Sequence, residues 1–417
     1  MLAMNVYPLN VSCRAGSSRC RHNNTQTLPR DKKMIIAQTT QSILLSALQS
    51  VAGIVERRTT MPVLANVLLR RQGATTELMT SDLEVQLQTT AALGGDEAEF
   101  ATTVGVRKLI DILRTLPANQ TVILEERDDA RLILKAGKSR FTLQTLPAND
   151  FPQVQQAQGV SESFRVPQKI FKKLLNQVSF AMAVNDVRYY LNGILFVAEG
   201  KQLRLVSTDG HRMAYGSAEL DVEVPHQEVI LPRKTVLELQ RLLPDATAQS
   251  DAAGQSNGSE APVIEMHFAA NQARFVFGSM TFVTKLVEGR FPDYTRVIPK
   301  DITHNITLGR QLLLAGLQRS ALFANEKLRG VRLEFSPGTL RIAASNAEQE
   351  EGVDEIDISY DGDPVEISFN VGYLTDALTA LSNYDMVTLG IKDAGSSAML
   401  TVPGDANFKY VVMPMRL

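Results

Sequence analysis

The sequence has only two cysteines, Cys13 and Cys20, and both lie within the first 33 residues. The rest of the chain therefore offers no thiol for catalysis and no pair of thiols for a disulfide. Such a chain is typical of a reducing compartment, and we expect a cytoplasmic protein. Residues 1–33 are also basic and without hydrophobic periodicity, so we expect a disordered or mis-annotated N-terminal extension, with a transit peptide as the alternative.

Long apolar runs are missing as well. No stretch approaches the roughly 18 residues that a membrane-spanning helix needs, so we expect no membrane partner. The chain has 417 residues, of which 44% are hydrophobic and 21% are charged, and its formal net charge is -2. These values are typical of a soluble globular protein with two or three domains.

The motifs that usually mark catalytic or metal sites are also absent from the sequence. Its five histidines show no metal-ligand spacing, and there is no nucleophile elbow, zinc-protease motif or dinucleotide-binding loop. Gly137, Lys138 and Ser139 imitate the end of a phosphate-binding loop. Leu132 stands where the first glycine of that loop belongs, so we predict a hairpin turn there. We therefore expect no catalytic residue, no metal and no cofactor; an enzyme acting on nucleic acid, inactivated by Lys138→Ala, is the alternative.

Six amphipathic helical patterns recur along the chain in three pairs. They span residues 40–55, 104–116, 167–183, 232–243, 309–324 and 370–382. In the clearest pattern the apolar arc holds Phe171, Leu174, Leu175 and Val178, and the opposite arc holds Lys169, Lys172, Lys173, Asn176 and Gln177. Pro167 precedes them, and we expect it to be the first helical residue because a proline loses no hydrogen bond there.

Short runs rich in β-branched residues, interrupted by glycine turns, separate the helical patterns. Residues 191–217 and 331–346 show this order of strand, turn and strand most clearly. The repeats predict an α+β fold of three similar domains, each with two helices packed on an antiparallel sheet. We place these domains at residues 34–153, 160–295 and 298–417. Residues 245–262 of the second domain are of low complexity and predict a mobile insertion.

The helical patterns carry far more basic than acidic side chains. The basic ones are Arg107, Lys108, Arg114, Lys169, Lys172, Lys173, Arg233, Lys234, Arg241, Arg310 and Arg319, against Asp111, Glu238 and Asp376. Repetition of this excess predicts a surface that contacts the phosphates of double-stranded DNA without reading its sequence. Ordinary solvated helix faces are the alternative.

The two ends of the patterned chain carry opposite charges. Glu348, Glu350, Glu351, Asp354 and Glu355 form an acidic run in the third domain, whereas Lys108, Arg131, Lys138 and Arg140 lie in the first. This arrangement predicts a head-to-tail contact between two copies, closed by two-fold symmetry, with a monomeric DNA-binding scaffold as the alternative. Residues 413–417 are apolar where chain ends are usually polar, which predicts a patch for a protein partner.

From Met34 to the C-terminus the chain resembles the bacterial β sliding clamps, the β subunits of DNA polymerase III. The resemblance lies in residues 186–196 (DVRYYLNGILF), 207–214 (STDGHRMA), 285–299 (KLVEGRFPDYTRVIP), 325–333 (NEKLRGVRL), 346–351 (NAEQEE) and 410–417 (YVVMPMRL). It implies a non-catalytic homodimeric ring of six similar domains that encircles duplex DNA and slides along it. It also implies a clamp loader that opens the ring, and short peptides that tether the replicative DNA polymerase and repair proteins.

The resemblance assigns residues to three surfaces. It implies DNA contacts for Arg58 and Asn185, beside the helix side chains Lys169, Lys172, Lys173, Arg233, Lys234 and Arg310. The implied peptide pocket consists of Leu191, Thr208, Gly210, His211, Arg212, Met213, Pro292, Arg296, Val297, Ser397, Val411, Val412, Met413, Pro414, Met415 and Arg416. The implied subunit contact joins Lys108, Ile112, Lys138, Arg140 and Phe141 to Leu322, Phe323, Glu348, Glu350, Glu351 and Asp354.

Three positions depart from the usual pattern of that family. Met213 replaces a commoner leucine, a volume-conserving change that should keep the pocket. Gly352 and Val353 interrupt a stretch that is often more acidic, which leaves the strength of subunit closure open.

Overall fold

The computed structural model describes residues 33–57, 60–127, 130–154, 163–244 and 261–416. The N-terminal extension up to residue 32, Arg58 and nearly all of the predicted insertion at 245–262 lie outside the described residues. Among the described residues, no helix has the length and apolarity to cross a membrane.

The described chain contains six α-helices in three pairs, as the sequence pattern predicts. They are α1 (Gln41–Val51), α2 (Val106–Arg114), α3 (Gln168–Val178), α4 (Arg233–Leu242), α5 (Arg310–Ala321) and α6 (Val371–Ala380). Each is shorter than its pattern because the flanking residues belong to strands, 3-10 turns or other turns. The prediction that Pro167 begins α3 was wrong, since Pro167 is extended at ψ 128 and pairs with Val263 in a sheet.

The strands fall into three groups, one in each repeat. The first group is β1 (Lys33–Thr40), β2 (Asn66–Gln72), β3 (Thr75–Ser81), β4 (Val85–Ala91), β5 (Phe100–Gly105), β6 (Thr121–Arg127), β7 (Arg131–Ala136) and β8 (Ser139–Pro147). The second is β9 (Phe164–Pro167), β10 (Gly193–Thr208), β11 (Arg212–Pro232), β12 (Val263–Ala269), β13 (Gln272–Phe277) and β14 (Met280–Lys285). The third is β15 (His304–Gly309), β16 (Gly330–Ser336), β17 (Thr339–Ser345), β18 (Glu351–Asp357), β19 (Val365–Asn370), β20 (Met386–Ile391), β21 (Ala398–Val402) and β22 (Asp405–Val412). The second group has six strands instead of eight because β10 and β11 are each as long as two strands of the other groups.

All strand pairs are antiparallel, and two of the sheets cross from one repeat to the next. A 12-stranded sheet joins the first two repeats where β4 pairs with β14, with Leu87 opposite Phe282. A 6-stranded sheet joins the second and third repeats where β11 pairs with β22, with Gly216 opposite Phe408. A 4-stranded sheet in the order β18, β17, β16, β19 completes the third repeat. The predicted α+β fold of three similar units is confirmed.

The core lies between each pair of helices and its sheet. Phe171, Leu174, Leu175 and Val178 of α3 are buried, as their helical spacing predicts. Gln177 is also buried, although its position on the helix places it on the polar arc, because α3 also packs against the third repeat. Tyr384 of that repeat lies 3.4 Å from the Gln177 amide nitrogen.

The six described helices form one row in the order α2, α1, α4, α3, α6, α5, because the two helices of each repeat touch and neighbouring repeats contact each other at the 3-10 turns that follow α1 and α3. At the first joint, Arg241 of α4 donates hydrogen bonds to the carbonyls of Gln49 at 3.2 Å and Ser50 at 2.9 Å, near the end of α1. At the second joint, α6 packs against the 3-10 turn Ser179–Ala181 that continues α3.

Candidate peptide pocket, DNA face and subunit edges

A cavity of about 240 Å³ opens where the second and third repeats meet. It is lined by Arg188, Tyr190, Leu191, Thr208, Gly210, His211, Arg212, Met213, Phe291, Pro292, Tyr294, Val297, Val411 and Met413. Leu191, Met213, Phe291 and Val411 belong to a small apolar cluster separate from the main core, so the floor of the cavity is apolar. An apolar floor with a few polar groups at its rim is typical of a ligand pocket.

The turn between β10 and β11 forms one wall of this pocket. The Asp209 carboxylate accepts hydrogen bonds from the main-chain N–H groups of His211 at 2.9 Å and Arg212 at 3.1 Å. Gly210 has φ +92, a conformation that side chains other than glycine rarely adopt. Asp209, and not the His211 imidazole, therefore caps the turn, while the His211 carbonyl accepts the Met413 N–H at 3.0 Å.

Arg212 holds the turn against both repeats. Its Nε donates to Asp209 Oδ2 at 3.0 Å, its Nη1 to Asp376 Oδ2 at 2.7 Å and its Nη2 to the Phe180 carbonyl at 2.9 Å. The guanidinium also lies 4.5 Å from the centre of the Tyr373 ring. Burial works to lower the pKa of Arg212, but Tyr410 and the two carboxylates outweigh it and raise this pKa.

Arg188 and Asp186 lie at the pocket rim. The Asp186 carboxylate accepts hydrogen bonds from the Arg188 main-chain N–H at 2.8 Å and from Arg188 Nε at 3.0 Å. These hydrogen bonds from Arg188 lower the pKa of Asp186 to about 2.

The structure brings ten of the sixteen predicted pocket residues together around this cavity. Among the described residues, those that do not line it are Arg296, Ser397, Val412, Pro414, Met415 and Arg416. Val412 lies on the opposite face of β22, in the main core, and the Met415 N–H donates to the Ser368 carbonyl at 2.7 Å. Arg296 is paired with Asp293 at 2.9 Å beside the pocket.

Sequence reasoning missed four lining residues: Arg188, Tyr190, Phe291 and Tyr294. All four lie inside the segments 186–196 and 285–299 that carry the resemblance. The aromatic pair Tyr189 and Tyr190 was a usable signal, since Tyr189 is exposed and exposed aromatic residues often mark binding surfaces.

Several of the predicted DNA-facing cations are engaged within the chain. Lys173 Nζ lies 3.0 Å from Asp405 Oδ2 across the second joint, and Lys234 contacts both Glu56 and Asp82 across the first. Lys172 donates to the carbonyls of Gln240 and Leu243 at the end of α4, and Arg310 to those of Leu378 and Tyr384 at the end of α6. Such contacts satisfy helix C-terminal carbonyls.

Lys169, Asn185 and Arg233 are the predicted DNA-facing residues that remain, because Arg58 lies outside the described part of the chain. Lys169 and Asn185 are exposed, and Asn185 has φ +55. Arg233 is half-buried, and burial lowers the pKa of its guanidinium.

Two of the open strand edges in the described part of the chain carry residues predicted for the subunit contact. β18 is the end strand of the 4-stranded sheet, and residues 139–144 of β8 pair with β7 on one side alone. Lys138 and Arg140 are exposed beside the β8 edge, and Glu348, Glu350 and Glu351 are exposed beside β18. An open edge is ready to pair with a strand of another chain.

The remaining predicted contact residues are at least partly exposed. Leu322 is 81% exposed, Lys108 is exposed, and Ile112, Phe141, Phe323 and Asp354 are partly exposed. Asp354 pairs with Arg319 at 2.5 Å, so part of its charge is balanced within the chain. A Cβ at Gly352 would lie 2.3 Å from the Phe323 ring, so glycine at this position makes room for that ring.

The described residues contain no group of three or more His, Cys, Asp or Glu placed to hold a metal ion. Gly137 and Lys138 form the two-residue turn of the β7–β8 hairpin, with Ala136 opposite Ser139, which confirms the predicted hairpin turn.

Three consecutive α+β units, joined edge to edge with their helices in one row, define the DNA-clamp class of fold. Family profiles of the DNA polymerase III beta subunit match the chain in three pieces: the N-terminal domain at residues 34–155, the central domain at 165–293 and the C-terminal domain at 295–416. The chain therefore belongs to the DNA polymerase III beta subunit family, the β sliding clamps. Its function is that of a processivity clamp, a non-catalytic accessory subunit of the polymerase.

Curated relatives agree with this assignment. The beta sliding clamp of Pseudomonas putida is 46% identical over 376 residues, which cover 90% of this chain and 98% of the relative. The beta sliding clamp of Escherichia coli K12 is 41% identical over 374 residues, with the same two coverages of 90% and 98%.

Solved structures show the same fold. The Pseudomonas aeruginosa sliding clamp bound to griselimycin superposes with a TM-score of 0.84 at 41% identity, covering 93% of this chain and 100% of that chain. The Caulobacter crescentus sliding clamp has a TM-score of 0.80 at 33% identity, with coverages of 93% and 100%.

Proposed function

We propose that two copies of this chain close head to tail into a ring around duplex DNA, and that each copy holds partner proteins by a peptide in the pocket described above. A separate clamp loader would open the ring, and the replicative polymerase and repair proteins would bind through the peptides. In this proposal residues 34–153, 160–295 and 298–417 are the three domains of each copy.

The repeated geometry of the joints is the observation that carries the ring. At the first joint β4, the fourth strand of its repeat, pairs with β14, the last strand of the next. In the second repeat, the first half of the long strand β11 corresponds to β4, because it pairs with the second half of β10 as β4 pairs with β3. At the second joint this half of β11 pairs with β22, the last strand of the third repeat. The fourth strand of the third repeat, β18, and the last strand of the first, β8, are left with open edges. Pairing β18 of one copy with β8 of another repeats the same joint and closes two copies by two-fold symmetry.

The charges beside these two edges support that pairing. Lys138 precedes β8 and Arg140 lies near its start, while Glu350 precedes β18 and Glu351 is its first residue. These opposite charges favour pairing of β8 with β18 of the other copy over pairing of β8 with β8 or of β18 with β18. Leu322 and the partly buried Phe323 add apolar surface next to β18.

DNA binding in this proposal is held by the closed ring more than by strong local contacts. Because Lys172, Lys173, Lys234 and Arg310 already have partners in the chain, few of the predicted cations are free to hold a phosphate tightly. Exposed Lys169 and half-buried Arg233 provide weak contacts that do not depend on sequence. Weak contacts of this kind are compatible with rapid sliding.

A charge-reversal experiment tests the head-to-tail ring. In light scattering, the wild type should have about twice the 45.8 kDa mass of one chain. The double variants Lys138→Glu/Arg140→Glu and Glu350→Lys/Glu351→Lys should each be monomeric, since each places like charges at the contact. Mixing the two variants should restore the dimer, because acidic then meets basic at both contacts. A wild type at the mass of one chain, or a mixture that stays monomeric, would contradict the proposal.

A further inference from the structure

Arg212 lines the peptide pocket and is the residue type best suited to grip a carboxylate, because its fork of N–H donors fits both oxygens. A peptide that ends in the pocket with a free C-terminus would present such a carboxylate. The pocket can therefore select peptides with a free C-terminal carboxylate only if the Arg212 guanidinium has N–H donors available for it.

All three guanidinium nitrogens of Arg212 already have hydrogen-bond partners within the chain. Each of its three nitrogens donates to an oxygen of this chain, at Asp209, Asp376 and the Phe180 carbonyl, with distances between 2.7 and 3.0 Å. One face of its plane covers the Tyr373 ring. The side chain is only 9% exposed, so it has little freedom to turn toward a ligand.

Asp376 differs from the other two oxygen partners. Asp209 and Phe180 belong to the second repeat, whereas Asp376 lies on α6 of the third, and its side chain is 49% exposed. Asp376 does not line the cavity itself, so it contacts the pocket by way of Arg212. The hydrogen bond from Arg212 Nη1 to Asp376 is 2.7 Å long and is the shortest of the three.

We propose that Asp376 is a specificity-determining positioning residue: by occupying Arg212 it makes the pocket select a peptide by its apolar side chains and not by a terminal carboxylate. This inference rests on the proposed peptide-binding function. Removing the Asp376 carboxylate leaves Arg212 Nη1 without its partner at the pocket wall, where a ligand carboxylate would take the place of Asp376.

The test compares two synthetic peptides of one sequence that ends in Leu-Phe, one with a free C-terminal carboxylate and one with an amide. Fluorescence anisotropy measures the affinity of each peptide for the full-length dimer, and the readout is the ratio of the two affinities. In Asp376→Ala we expect the ratio of acid to amide affinity to rise about tenfold over wild type, the effect of one new charge-assisted hydrogen bond. Asp376→Ser should show the same rise, and Asp376→Glu should keep the wild-type ratio.

Asp405→Ala is the matched control. Asp405 is also a third-repeat carboxylate paired with a second-repeat cation, Lys173, at 3.0 Å, and it does not line the pocket. Its removal should leave the ratio within about twofold of wild type. A ratio that does not change in Asp376→Ala and Asp376→Ser, or that changes equally in Asp405→Ala, overturns the inference. Failure of both peptides to bind the wild type would instead overturn the proposed peptide pocket.

Discussion

Asp186 and Arg188 are held together at the rim of the pocket, where Arg188 Nη2 lies 2.9 Å from Asp186 Oδ2. The hydrogen bonds from Arg188 keep the pKa of Asp186 at about 2, below the roughly 3.9 of an unfolded aspartate. The stabilisation from this pair is therefore fully present above about pH 4 and is lost as the pH falls toward 2.

We predict that the carboxyl carbon of Asp186 titrates by NMR with a midpoint near 2 in the wild type. In Arg188→Gln the midpoint should return toward the ordinary value of about 3.9, because the guanidinium that favours the carboxylate is gone. An ordinary midpoint for Asp186 in the wild type would show that the pair does not form in solution.

Residue by residue, the sequence predicted the buried arc of α3 better than its exposed arc. Phe171 and Leu174 are buried because their spacing follows the helix period, which is a local property. Gln177 is buried because the third repeat packs against it, and no periodicity within one helix reports that contact. The same limit applies to Lys173 and Lys234, whose carboxylate partners lie in other repeats.

Among the elements, α3 contains two lysines that the sequence pattern treats alike and the structure separates. Both lysines are exposed, but only Lys173 forms an ion pair with Asp405 and lies over the Tyr384 ring. Burial works to lower the pKa of Lys173, but the hydrogen bonds to Asp405 and Tyr384 outweigh it and raise this pKa.

We predict that the two alanine variants of α3 change different properties, DNA affinity in one and thermal stability in the other. Lys169→Ala should weaken binding to a short DNA duplex at low salt. The slope of log affinity against log salt concentration should fall by about one, the value for one lost phosphate contact, and thermal stability should not change. Lys173→Ala should lower the unfolding temperature, because Asp405 loses its cation at the joint. Anisotropy with labelled duplex and thermal unfolding measure the two effects. Equal effects of both variants on DNA affinity alone would show that Lys173 also faces DNA.

The C-terminal strand β22 ends at Val412, and the residues after it serve a different role. Val411 and Val412 are buried in the sheet, whereas Met413 is exposed at the pocket. The sequence predicted this division from the apolar residues that follow a core strand. It did not predict that Met415 bonds to Ser368, which is a contact between distant parts of the third repeat.

We predict that deleting residues 413–417 abolishes binding of a clamp-binding peptide and leaves a folded dimer. The pocket loses Met413, while β22 keeps all of its strand pairs. Peptide anisotropy and light scattering on the same sample measure both outcomes. A control chain that lacks residues 416–417 should still bind the peptide. Loss of the dimer on the longer deletion would show that these residues belong to the core.

At the scale of the whole molecule, the periodic pairs of helices predict three similar units, and the structure confirms them. The joints between the units were beyond such reasoning, because β4 and β14 lie far apart in the sequence and carry no signal of their pairing. Once two joints are known, the open edges of β8 and β18 follow from the repeat. The sequence predicted a head-to-tail contact from opposite charges, and the structure adds two open strand edges that support it.

Retention on DNA after loading tests the ring most directly. The clamp is loaded by a clamp loader onto a nicked circular plasmid, excess protein is removed at high salt, and half of the sample is cut once with a restriction enzyme. We predict that the clamp stays on the circular plasmid and leaves the linear one by sliding off its ends. Equal retention on both forms, or equal loss from both, would contradict a ring that encircles DNA.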